Sequence, residues 1–239
     1  MVQADAHAGQ ERVAATEPRR RFDVRYTVPR MLRVVAVPFG ALLCALALLA
    51  PAGPVRGVAP AVAQTDRNLA GQLLVATEGL QDPRFARTVV YVVRHDADGA
   101  FGLVVNRPGP EMPLAPLLRQ FGLDDRGVTG GIRAHYGGPV EPARGFVLHT
   151  GEYATAGTER LGGNLALTSQ PAVLGDIARG TGPRRYRLVH GYAGWRGGQL
   201  EGEIDAGAWI TASVDADILF DDDYATKWDR AMARRRLTI

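Results

Sequence analysis

In 239 residues the chain holds one cysteine, Cys44, one lysine, Lys227, and two serines, Ser169 and Ser213. Each scarcity closes a class of chemistry. Lys227 follows Ala225-Thr226 and no glycine-rich turn, so a phosphate-cradling P-loop cannot be written. Neither serine sits in a G-x-S-x-G elbow, and both occupy places where a helix cap or a turn uses a hydroxyl. G-x-G-x-x-G and H-E-x-x-H are missing too, as is any repeat of about 20 to 50 residues. Cys44 lies near the N-terminus. A chain that loses that segment has no disulfide, thiolate zinc ligand or cysteine nucleophile.

Charge of one sign is also missing from most of the chain. Residues 1–63 carry 8 Lys+Arg against 4 Asp+Glu, and residues 64–239 carry 20 against 21, so the overall +3 splits into +4 and −1. A near-neutral body has no net field toward a phosphate backbone, and nucleic acid is not an expected partner. With 46% hydrophobic and 22% charged residues, collagen, coiled coil and bulk disorder are excluded.

What is present begins with a leader. Residues 34–52 (VVAVPFGALLCALALLAPA) are 19 residues without a charge, preceded by Arg19, Arg20, Arg21, Arg25, Arg30 and Arg33. That order reads as an export signal. The cationic flank stays in the cytoplasm, and Ala61-Val62-Ala63 offers the small-residue pattern that signal peptidase accepts, leaving Gln64 first. Uncleaved, the stretch is an inner-membrane anchor, although Pro38, Gly40 and its alanines make it less apolar than a dedicated span. Both alternatives place the body in the periplasm; an N-terminus that is no targeting signal leaves it in the cytoplasm, and Met31 offers a tidier start for the leader than Met1. The expected division is residues 1–30 as an extension without assigned fold, 31–63 as signal or anchor, and 64–239 as one domain. The membrane enters only through the leader.

In the body, short apolar runs alternate with Gly/Pro punctuation. Strands are expected at Leu73 to Thr77, Thr88 to His95, Phe101 to Asn106, Gly145 to Thr150, Asn164 to Thr168, Tyr186 to His190 and Trp209 to Thr211. Asp96-Ala97-Asp98-Gly99 joins the second and third as a tight hairpin, its glycine supplying a left-handed position. Both alternating faces of TVVYVV are apolar, so this strand belongs in the middle of a sheet covered on both sides. Helices are expected at Leu114 to Gly122, with Leu114, Leu117, Leu118 and Phe121 on one face, and at Pro171 to Arg179 after a Ser169 cap. Another is expected from Asp223 to Arg236, with Tyr224, Trp228 and Met232 in register, and Glu201, Glu203 and Asp205 sit on a short helix. Without a regular βαβ rhythm, the class is α+β with a mixed sheet.

Candidate chemistry is thin. His95, His135, His149 and His190 fall near strand ends and none pairs with another at ligand spacing, although His95 lies beside Asp96 and Asp98. Asp215, Asp217, Asp221, Asp222 and Asp223 offer oxygens for a hard cation but match no calcium loop, and acids before a helix serve as caps. The most distinctive words are Tyr136-Gly137-Gly138-Pro139-Val140 and Gly191 to Leu200 (GYAGWRGGQL). Glycines there mark sharp turns or close backbone approach. They either hold Trp195 and Arg196 on a rigid corner facing a ligand, or bend strands while Trp195 fills the core.

Three long segments, DPRFARTVVYVVRHDADGAFGLVVNRP, YGGPVEPARGFVLHT and GYAGWRGGQLEGEIDAGAWITA, closely resemble the signature blocks of the YqgE/AlgH family over residues 68 to 232. The resemblance implies a single α+β domain whose mixed, bifurcated β-sheet wraps into a pseudo-barrel with flanking helices. It brings no established catalytic residue. The family name reflects a proposed role in regulating alginate synthesis genes, without a recognisable DNA-binding motif. The export-like leader departs from the family pattern, and an exported copy could not act directly on transcription. The expected function is a non-enzymatic binding domain, without cofactor or metal, that recognises a small molecule or a protein through Asn106, Arg107, Gly137, Gly138, Trp195 and Arg196. The rivals are a hydrolase or metal-dependent enzyme using His95, Asp96 or Asp98, and a transcriptional regulator.

Overall fold

The computed structural model describes residues 68–80 and 82–235, and the leader and its cleavage motif lie outside them. In chain order the elements are β1 (Leu73–Ala76), β2 (Val89–Asp96), β3 (Gly99–Val104), β4 (Pro108–Pro113), α1 (Leu114–Gln120), β5 (Gly131–Tyr136), β6 (Val140–Thr150) and β7 (Thr158–Leu161). They continue with β8 (Leu165–Thr168), α2 (Ala172–Ala178), β9 (Tyr186–Arg196), α3 (Gln199–Asp205), β10 (Trp209–Ala212), α4 (Ala216–Phe220) and α5 (Lys227–Ala233). The class is α+β, with a curled sheet and few helices. None of the described helices is long and apolar enough to cross a membrane.

The main sheet runs β10-β1-β2-β3-β9-β6-β8-β7, and β10 and β7 end the path. It curls as a half-barrel. All its pairings are antiparallel except β5 on β9. The long strand β9 forks the sheet. Leu188 to His190 take β5 in parallel register, Ala193 to Arg196 take β3 antiparallel, and β6 pairs with β9 from Tyr186 to Tyr192.

Gly137 sits in the crotch of the fork. Its N–H donates to His190 O at 2.8 Å and its carbonyl accepts from Val104 N at 2.9 Å. A Cβ there would lie 2.3 Å from Gly191 O, and one on Gly138 would lie 2.1 Å from the Tyr192 carbonyl carbon. Only glycine lets three strands converge this closely.

Alternation along the strands creates three cores. Leu73, Val75, Val89, Tyr91, Leu103, Phe146, Leu148 and Val189 face the concave side, which α4 and α5 close with Ile218, Leu219, Trp228 and Ala231. Leu74, Ala76, Val90, Val92, Ala193 and Trp195 face outward under α3 and Trp209. Ile132, Ala134, Val147 and Leu188 face outward on the other arm under α1 and α2. As TVVYVV implied, Val89 to Val92 are completely buried on both faces. Each such side chain contributes about 1.5–3 kcal/mol of burial.

Several local expectations change. Gly99 ends the β2–β3 hairpin at φ +140, and its role is clearance: a Cβ would meet Trp195 O at 2.1 Å. Of the two readings of Gly191 to Arg196, the strand reading holds: the segment continues β9, and Trp195 is buried in the core. Ser169 does not cap α2, whose N-cap position is Pro171 with no side-chain cap. Phe121 lies beyond α1 and is 47% exposed, off the buried stripe of Leu114, Leu117 and Leu118. Tyr224 precedes α5, a helix shorter than expected.

Candidate functional site

The clearest concavity joining aromatic and charged side chains lies outside the β3–β9 arm. It is a cleft of about 430 Å³ lined by Leu80, Asp82, Arg84, Phe85, Pro139, Gly194, Trp195, Gln199, Glu203 and Trp209. The loop between β1 and β2 supplies one wall, the end of β9 and α3 the other. Gly197 and Gly198 make the turn between them: a Cβ on Gly197 would meet Ala97 O at 2.3 Å, and Gly198 stands at φ +76 as the α3 N-cap. Gln199 and Glu203 are then one turn apart on one face of α3.

Glu203 is the hub. Its Oε2 accepts from Trp195 Nε1 at 2.9 Å and from Trp209 Nε1 at 2.8 Å, and its Oε1 accepts from Gln199 Nε2 at 2.8 Å. Buried indole N–H groups need such a partner. Trp195 and Trp209 stand edge to face at 5.9 Å, and Phe85 meets Trp209 in the same way at 5.7 Å. Across the cleft, Asp82 and Arg84 form an ion pair at 2.6 Å. The hydrogen bond from Arg84 holds the Asp82 carboxyl below its usual range.

Of the six residues expected on a ligand face, Trp195 lines this cleft and the other five do not. Asn106 is buried, its Oδ1 accepting from Val89 N and its Nδ2 donating to Arg87 O, both at 2.9 Å. Arg107 donates to Ala86 O at 2.6 Å. Gly137 and Gly138 fill the fork, and Arg196 is exposed, its N–H donating to Gln199 Oε1 at 3.2 Å. Sequence reasoning missed Phe85, Trp209 and Glu203. Glu203 carried a signal in its four-residue spacing from Gln199, but β10 and the β1–β2 loop meet it only through the fold.

His95 does not join Asp96 or Asp98. Its Nδ1 accepts from Leu69 N at 3.1 Å, which leaves Nε2 protonated and donating to Glu201 Oε1 at 2.8 Å. Asp96 instead caps the hairpin by accepting from Asp98 N. His149 bonds Thr150 O and Thr168 Oγ1, each at 2.9 Å, inside the protein. Among the described residues no three His, Cys, Asp or Glu converge as a metal site.

The acidic run serves helix ends and ion pairs. Asp215 caps α4 and pairs with Arg234, and Asp221 binds Lys227 at 2.7 Å and Arg230 at 2.6 Å. Burial opposes the Asp221 charge, but the hydrogen bonds from Arg230 and Lys227 outweigh it and hold its carboxyl far below the usual range.

Asp221 belongs to a second polar cluster, sealed under α4 and α5. Lys227 is fully buried and also donates to Ile218 O at 2.7 Å. Arg187, 2% exposed, donates to Leu219 O, Asp221 O, Tyr224 Oη and His135 Nε2. His135 Nδ1 faces Leu188 O, a pure acceptor, so Nδ1 carries the proton and Nε2 receives Arg187. Burial, then the Arg187 charge, push the His135 pKa down to about 4.

Comparison with known proteins agrees with this fold. The AlgH-like domain model matches residues 73–239. A UPF0301 protein of Jannaschia sp. is 42% identical over 167 residues, covering 69% of this chain and 87% of that protein. Another from Methylococcus capsulatus is 42% identical over 180 residues, covering 75% and 98%. The solution structure of the AlgH protein from Pseudomonas aeruginosa superposes with a TM-score of 0.61 at 39% identity, covering 75% of this chain and 92% of that one. A crystal structure of a Corynebacterium diphtheriae protein, at 21% identity and a TM-score of 0.55, shares the fold alone. The chain belongs to the AlgH-like family.

Proposed function

We propose that this domain is a non-enzymatic binding module for a small molecule, and that its site is the cleft between the β1–β2 loop and α3. The observation carrying this is the 430 Å³ concavity walled by Phe85, Trp195 and Trp209 with Glu203 and Gln199 among them. A hollow of that size, walled by aromatic side chains and with a few convergent polar groups, is a usual form of small-ligand site. The His95, Asp96 and Asp98 set that an enzyme would need is dispersed, which favours binding over catalysis. Tryptophan fluorescence of the full-length chain against a metabolite library tests it. Saturable changes that Trp195→Phe and Phe85→Ala abolish support the assignment; no response across the library contradicts it.

The module is further proposed to act in the periplasm, because a charge-free stretch at residues 34–52 follows six arginines and precedes Ala61-Val62-Ala63. Alkaline phosphatase fused after Ile239 is then active in intact cells. An inactive fusion, with the protein in the cytoplasmic fraction, contradicts export and reopens a direct role in transcription.

A further inference from the structure

We infer that the cleft selects an organic cation, an ammonium group carried on an apolar body. This rests on the cleft being the binding site and goes beyond it by naming the ligand chemistry.

The charged residues lining the cleft are Asp82, Arg84 and Glu203. Asp82 and Arg84 neutralise each other at 2.6 Å. Glu203 is held only by neutral donors, two indole N–H groups and one side-chain amide, and no cation pairs with it among the described residues. Three hydrogen bonds fix its position without cancelling its charge. An ionised carboxylate offers about four acceptor sites, so room for one more donor remains. The lining is therefore net negative, beside Leu80, Phe85, Pro139, Trp195 and Trp209.

The partner that such a lining favours carries a positive charge and a hydrophobic part, with Phe85, the least buried of the three rings, adding cation–π attraction. A bare metal ion fits poorly. It needs about six or more oxygen ligands or retained waters, whereas one unpaired carboxylate faces a hollow of 430 Å³. Anions are repelled by the same charge.

The test is a tryptophan-fluorescence titration of the full-length chain with three probes of one shape: protonated phenethylamine, phenethyl alcohol and phenylacetate. The expected result is an ammonium Kd about tenfold or more below that of the alcohol, weakening with added salt, and no binding of phenylacetate. Glu203→Gln removes the ammonium advantage. Asp205→Asn, which removes an exposed carboxylate of α3 that does not line the cleft, retains it within about threefold. If Glu203→Gln does not fold, the salt dependence of the wild-type preference decides. Equal binding of alcohol or carboxylate, or a preference indifferent to Glu203→Gln and to salt, overturns the cation assignment while leaving the cleft as a binding site. Silence with all three probes overturns both.

Discussion

Glu203 and Asp221 are both carboxylates ringed by donors beside aromatic residues, yet they are built for opposite ends. Asp221 meets two cations, Lys227 and Arg230, under α4 and α5, where Lys227 is fully buried. Glu203 meets only neutral N–H groups, on the wall of an open cleft. The first arrangement spends its charge on holding α4 and α5 against β9. The second keeps its charge available. The difference separates scaffold from site more sharply than residue type does, because buried charge is tolerated only when paired, whereas a charge at a cleft can stay unpaired until a ligand arrives.

The largest expected effect comes from breaking the sealed cluster. Lys227→Met leaves the Ile218 carbonyl without its donor, removes one of the two donors to the Asp221 carbonyl, the other being Arg187, and weakens the compensation of the Asp221 carboxylate. We expect a loss of about 3–5 kcal/mol in chemical denaturation, with probe binding by the remaining folded protein unchanged. A variant that keeps full stability contradicts the scaffold role. Next comes the fork. Gly138→Ala drives a methyl into the Tyr192 backbone from φ +150, and should cost about 2–4 kcal/mol while also disturbing the cleft, since Pro139 follows directly.

Acid separates the regions in a third way. His135 stays neutral in the folded protein down to about 4, pushed there by burial and by Arg187. The unfolded imidazole takes up its proton near about 6.5, so between the two values the unfolded chain binds more protons. Stability from this group is complete above about 6.5 and drains as the pH falls toward 4, by about 1–3 kcal/mol. Melting curves should show that loss, and His135→Gln should flatten it. A slope unchanged by the substitution places the acid sensitivity elsewhere. The smallest effect has the opposite sign. The Tyr91 hydroxyl is buried without a hydrogen-bond partner among the described residues. Tyr91→Phe should therefore raise stability by about 0.5–1 kcal/mol; a lower melting temperature contradicts that expectation.

What was legible in the sequence follows the same division. The central strand could be read from TVVYVV because apolarity on both faces has one common cause, burial between two layers. The strands β4, β5 and the four-residue β7 went unread. PGPEMP holds three prolines that only an edge position tolerates, and GIRAHY alternates weakly. The glycine words were visible as geometry but not as a fork, since Gly191 reads as a corner until β5 and β3 are seen competing for one edge of β9. Trp195 could be singled out as an anchor. Its surroundings could not: Glu203 and Trp209 meet it, and Phe85 meets Trp209, from three different elements, and local pattern does not encode which distant segments meet.

Three indole N–H groups report on the two regions at once. Those of Trp195 and Trp209 point at Glu203, and that of Trp228 donates to Ala76 O at 2.8 Å in the concave core. Titrating the nitrogen-15-labelled full-length chain with protonated phenethylamine should move the Trp195 and Trp209 indole resonances together and saturably while Trp228 stays fixed. If all three stay still, or Trp228 moves as far as the other two, the cleft is not where this protein binds.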